Sequence, residues 1–114
     1  MINNRQFGDM GEEIACKYLQ DNGYKIIARN VHYSRFCELD IVALDRKTTV
    51  FVEVKTRKNN TFGSPMEAIT KTKYENIKKG ALNYLLEHPS KNYRIDVIGI
   101  TLMPELKIEH LQNV

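Results

Sequence analysis

The sequence predicts an α/β fold: a mixed central sheet flanked by helices, in the order helix, three-strand meander, helix, strand or strands. Three observations carry this. Residues 6–21 place Phe7, Met10, Ile14, Ala15, Tyr18 and Leu19 at three- and four-residue steps, the period of a one-sided helix. Three apolar, β-branched runs follow closely at 24–31, 37–43 and 49–55, as in an antiparallel meander. A second helical stretch then precedes a further run at 93–101, and a long helix between strands implies a parallel crossover.

The first helix ends at Asn22-Gly23, glycine being the usual residue beyond a C-terminal cap. Its two adjacent acids are not equivalent. Glu13 aligns with Lys17 and Gln20 on a solvent face, whereas Glu12 aligns with Ala15, Cys16 and Leu19 on the buried stripe. Two readings of Glu12 stand side by side. Asp9-Met10-Gly11-Glu12 fits a capping box, with Gly8 and Gly11 suiting a helix that begins late. Alternatively, Glu12 is a third acid near a metal site.

The first strand runs from Tyr24 to Val31, and His32 to Arg35 turn the chain. Cys37–Ala43 and Thr49–Lys55 pair as a hairpin around the polar turn Asp45-Arg46-Lys47-Thr48. Charges interrupt these core-like strands. Asp40 stands between Leu39 and Ile41, and Glu53 and Lys55 flank Val54. Alternation puts Phe51, Glu53 and Lys55 on one face, Val50, Val52 and Val54 on the other, and Asp40 with Glu38. A hairpin register can bring Asp40 opposite Glu53. Charge in a β-core is costly unless it is paired or metal-bound.

A basic polar loop, Thr56 to Gly63, leads to Ser64-Pro65-Met66-Glu67, a helix start with Ser64 as cap and Pro65 in first position. That turn is either continuous with the helix or separate, with a restart at Thr70, and the helix ends near Glu87 before Pro89. Met66, Ile69, Ile77, Ala81 and Tyr84 form the expected stripe. Lys73 lies on it, either snorkelling to water or reaching a phosphate. Strands follow at 93–101 and 106–111. Asp96, between Ile95 and Val97, either serves the site or pairs with Arg94 or a nearby lysine. His32, His88 and His110 have no ligand spacing.

The length, 114 residues, suits one domain, 1–114, with a real core. The net charge of +3 permits nucleic-acid contact without requiring it. No apolar run approaches the roughly 20 residues of a membrane span, and no signal peptide follows Met1-Ile2. Cys16 and Cys37 read as reduced thiols in a cytoplasmic protein.

The chemistry follows from the acids. If Glu12, Asp40 and Glu53 converge, they retain a proton or bind a divalent cation, because Lys55 offsets only one charge. Oxygen ligands favour Mg²⁺ or Mn²⁺, with the Val54 carbonyl as an added ligand. Lys55 would orient or deprotonate a water, and Arg57, Lys58 and Lys73 would hold flanking phosphates.

Asp40 followed by Glu53-Val54-Lys55 resembles the PD-(D/E)XK nuclease signature, and the element order resembles that restriction-endonuclease-like core, including archaeal Holliday junction resolvases. The whole chain is more similar still to the small bacterial UPF0102 (YraN-like) family. The matching stretches are Gly8 with Glu12, Cys37 to Ile41, Phe51 to Arg57, Phe62 to Ala68, Lys73, and Arg94 to Val97. Cys37 stands where that family usually has glycine. The resemblance implies a nuclease-like scaffold with Glu12, Asp40, Glu53 and Lys55 as its acid and lysine set. It implies branched or single-stranded DNA as partner and, by analogy with junction resolvases, a symmetric homodimer. Against this metal-dependent endonuclease stand two other readings. One is a non-catalytic nucleic-acid- or partner-binding module on the same scaffold. The other is an interaction protein whose buried charges form structural ion pairs.

Overall fold

The computed structural model describes residues 3–35, 37–59 and 63–114. Helix α1 (Asn4–Asp21) leads into β1 (Lys25–Ser34), β2 (Cys37–Asp45) and β3 (Thr48–Arg57). A 3₁₀ turn (Pro65–Ala68), α2 (Lys71–Glu87), β4 (Asn92–Thr101) and β5 (Lys107–Leu111) complete the chain. The strands form one sheet in the order β1-β2-β3-β4-β5. β1, β2 and β3 are an antiparallel meander, β4 joins β3 in parallel through the α2 crossover, and β5 returns antiparallel to β4. The expected mixed α/β sheet is thus what forms. The loop expectations for Asn60, Thr61 and Phe62, and the reading of Met1-Ile2, lie outside the described residues. No described helix is long and apolar enough to cross a membrane.

Each helix covers one face. On the α1 side, Ala15, Cys16 and Leu19 meet Ile41, Ala43, Val50 and Val52. On the α2 side, Ile77, Ala81 and Tyr84 meet Leu39, Val42 and Phe51. Phe51 and Tyr84 pack edge to face with ring centroids 5.7 Å apart, a geometry that adds to the apolar contact. The alternation holds through the hairpin but breaks at Asp40, since Leu39 and Ile41 belong to opposite clusters.

At the helix starts one expectation changes and one of two alternatives is the one that forms. α1 is capped at Asn3, not Asp9: the Asn3 side chain accepts from the Gln6 amide at 2.8 Å, and the Gln6 side chain accepts from the Asn3 amide at 3.1 Å. Earlier polar residues thus satisfy the first amides, and Glu12 falls mid-helix, where capping cannot use it. The second helix restarts at Thr70, whose hydroxyl accepts from the Lys73 amide at 3.0 Å, while Ser64 makes no side-chain cap bond. Met66 therefore sits in the separate turn, 40 % exposed, outside the stripe of α2.

Gly8 and Gly11 both lie inside α1, with different duties. A methyl group on Gly8 meets nothing, whereas one on Gly11 overlaps the hydroxyl and Cβ of Thr56 on β3. Gly11→Ala is expected to cost about 1–3 kcal/mol, because stiff Thr56 cannot yield. Gly8→Ala is expected to gain about 0.5–1 kcal/mol from helix propensity. Urea melts of the two variants should show shifts of opposite sign.

Candidate functional site

The site opens where β2 parts from β3. Their ladder runs from Asp45↔Thr48 to Ile41↔Val52, and one further step would set Asp40 opposite Glu53. Instead the Asp40 carboxylate enters the ladder itself, its Oδ2 accepting from the Val54 amide at 2.9 Å. A side chain in place of a backbone carbonyl widens the gap between the strands. α1 closes one side of that gap, since Gly11 lets it rest on Thr56 and so delivers Glu12. α2 closes the other and delivers Lys73 from its capped first turn.

A cleft of about 440 Å³ results, lined among others by Glu12, Asp40, Glu53, Val54, Lys55 and Lys73. A second cavity of about 380 Å³ shares Asp40, Glu53 and Lys73 and continues along α2 past Thr70, Thr72 and Asn76. The two acids of the hairpin therefore stand at the junction of both spaces.

The electrostatics are tense. Glu53, 5 % exposed, meets the Lys73 ammonium at 2.9 Å from its Oε1. Burial, then the Glu53 charge, push the Asp40 carboxyl up to about 8, against the pull of the Val54 amide. Burial and the neighbouring Lys73 ammonium draw the Lys55 pKa down. Burial draws Lys73 down too, but Glu53 outweighs it and the net shift is upward. Burial raises Glu12, opposed by Arg29, whose Nη2 lies 3.8 Å from Oε1. That distance is too long for a hydrogen bond, and the buried Glu12 Oε1 has no hydrogen-bond partner. Arg29 spends its Nη1 on Glu13 at 2.6 Å.

The structure thus brings Glu12, Asp40, Glu53, Val54, Lys55 and Lys73 to one cleft. Arg57 and Lys58 line neither cavity. The Arg57 guanidinium turns back to donate to the Gly63 carbonyl, while Lys58 is exposed. Asp96 is fully buried in a separate cluster with Arg94 and His110. Its pairing with Arg94 was legible from the sequence; His110 as partner was not. Two further contacts had no local signal, Lys73 to Glu53 and Arg29 to the α1 acids, because each joins segments at least sixteen positions apart.

The donor set suits a divalent cation. Among the described residues, no three His, Cys, Asp or Glu side chains stand together as a ready cage. Mg²⁺ does not ask for one: it binds through one or two carboxylates, keeps several waters and takes the rest from phosphate. Asp40 and Glu53 could supply that pair, and Glu12 lines the same cleft. An acid that holds its proton up to about pH 8 beside a second acid is short of positive charge.

The family model described as "Uncharacterised protein family UPF0102" matches residues 11–100. A "UPF0102 protein" of Syntrophomonas wolfei is 45 % identical over 113 residues, covering 96 % of this chain and 97 % of the relative. One of Nocardia farcinica is 44 % identical over 111 residues, with 94 % and 87 % covered. One of Geobacter metallireducens is 43 % identical over 115 residues, with 98 % and 93 % covered.

Proposed function

This chain belongs to the uncharacterised protein family UPF0102, and we propose that it is a divalent-metal-dependent endonuclease that hydrolyses phosphodiester bonds in DNA. One observation carries the reading: two hairpin acids, the Glu12 carboxylate and Lys55 line a single cleft at the sheet's parted strands. Mg²⁺ or Mn²⁺ is the proposed cofactor and branched or single-stranded DNA the proposed partner, engaged by a two-fold dimer.

Asp40 and Glu53 hold the cation, and Glu12 orients a water from the cleft wall. When bound, the cation supplies polarisation of a phosphate oxygen and a water of lowered pKa. Lys55 accepts or steers the proton of the attacking water, which its depressed pKa favours. Its ammonium then faces the charge that builds on phosphorus. Lys58, exposed just beyond β3, adds a contact to a flanking phosphate, which gives affinity without base preference.

The binding-module reading draws on the Lys73–Glu53 pair, which already neutralises one acid. Calorimetric titration with Mn²⁺ separates the two. The wild type is expected to bind one ion, and Asp40→Ala and Glu53→Ala to bind it at least about tenfold more weakly. Binding must release the Asp40 proton, so wild-type affinity should fall as pH drops below about 8. Equal affinity in all three proteins would remove the enzymatic reading.

A further inference from the structure

We infer that Lys73 is a tethered stand-in for the divalent cation, a side-chain ammonium that holds the Glu53 end of the site until metal displaces it onto a substrate phosphate. The inference rests on the metal-binding reading proposed above. Lys73 Nζ lies 2.9 Å from Glu53 Oε1, a charge-assisted hydrogen bond to an oxygen that a metal ligand must have free. The two cannot both own that oxygen, since an ammonium and a divalent ion at one carboxylate oxygen repel each other strongly.

The surroundings make the exchange feasible. Glu53 is 5 % exposed, so in the absence of metal its charge needs a partner. Lys73 itself keeps 40 % of its side chain in solvent and hangs from the first turn of α2 on a four-carbon stem. It is thus an anchored cation with room to move, as a flexible lysine is and a forked arginine is not. Its room is defined, because Lys73 lines both cavities: the one holding Glu12 and Lys55, and the one extending to Thr70, Thr72 and Asn76. A lysine released from Glu53 stays at the junction where a phosphate chain crossing the acids must pass. The same residue then compensates charge before loading and binds phosphate after it.

Removal of a competitor tightens binding of what it competes with. Mn²⁺ titration of Lys73→Ala is therefore expected to give affinity about tenfold above wild type, the worth of one charge-assisted hydrogen bond. Lys71→Ala removes an equal charge from the same helical turn without touching Glu53, and should change affinity less than about twofold. Lys73→Arg restores a cation and should return affinity toward wild type. With Ca²⁺ present, Lys73→Ala should bind a single-stranded oligonucleotide more weakly than wild type, and Lys71→Ala less so. Lys73→Ala binding Mn²⁺ no better than wild type, while both bind it, overturns the exchange and leaves the metal site standing. An equal gain in Lys71→Ala overturns it too, as bulk electrostatics. No Mn²⁺ binding by either protein removes the metal reading itself, and the exchange with it.

Discussion

Lys55→Ala is expected to leave the fold and Mn²⁺ binding intact while cutting Mn²⁺-dependent DNA cleavage by about 10²–10⁴-fold, the range for loss of a positioned proton-transfer group. The separation follows from geometry. In the proposed site Asp40 and Glu53 would hold the cation, and Lys55 lies two residues beyond Glu53 along the same face of β3. Truncation removes no oxygen donor, so the ion should stay. What is lost is an ammonium whose pKa is drawn down by burial and by Lys73, and which in the proposed reaction steers the water's proton and faces the charge that develops on phosphorus. Cleavage should be measured on single-stranded, duplex and branched DNA, with metal affinity recorded on the same preparations. Product formed equally by wild type and Lys55→Ala would assign the cleavage to a contaminant. A variant that loses metal as well as cleavage would make Lys55 structural.

Asp96→Ala is expected to lower stability by about 3–5 kcal/mol, which for a chain of this size lowers Tm by roughly 15–30 °C. Asp96 has no solvent exposure, and every partner it has is specific. Its Oδ1 takes Arg94 Nε at 3.0 Å and the Asn113 amide at 2.9 Å, and its Oδ2 meets His110 Nε2 at 2.7 Å. Arg94 continues to Asp45 at 3.2 Å and to the Tyr24 hydroxyl at 2.8 Å, while His110 Nδ1 meets the Tyr18 hydroxyl at 3.0 Å. One carboxylate therefore ties α1, the ends of β2 and β4, β5 and the residues after it. Alanine takes from the largely buried Arg94 its closest anion, leaving it Asp45, and strips the Asn113 amide and His110 of their acceptor, and these losses together make the cost. Burial alone would raise the Asp96 pKa, but His110, the Asn113 amide and Arg94 win, and it lies below the usual carboxylate value. Its contribution is thus present above the unfolded-state pKa of about 3.9 and lost as pH falls through the folded value. Chemical denaturation at neutral pH checks the number, and a loss under about 1 kcal/mol would show the cluster to be dispensable.

The hairpin acids were legible because a charge in a β-branched run is costly, so Asp40 and Glu53 stood out before any partner was known. Glu12 was not decidable from its stripe. Whether it caps depends on where the helix begins, and Asn3 with Gln6 claimed the first amides. Arg57 shows the opposite limit. A basic residue beside the motif reads as a phosphate contact, yet a carbonyl six residues on captured it. The expected face-sharing along β2 failed at Asp40 for a similar reason, since the carboxylate bonded the Val54 amide and broke the pleat.

By itself the sequence determined the elements, their order, the parallel crossover and which acids would be desolvated, because periodicity and the cost of burying charge are written within a few neighbouring residues. Only the tertiary structure decided which cation each acid meets, that Gly11 rather than Gly8 sets the approach of α1, and that Lys73 occupies Glu53. Those outcomes turn on ångström-scale approach between segments distant in the chain, and no local pattern encodes it.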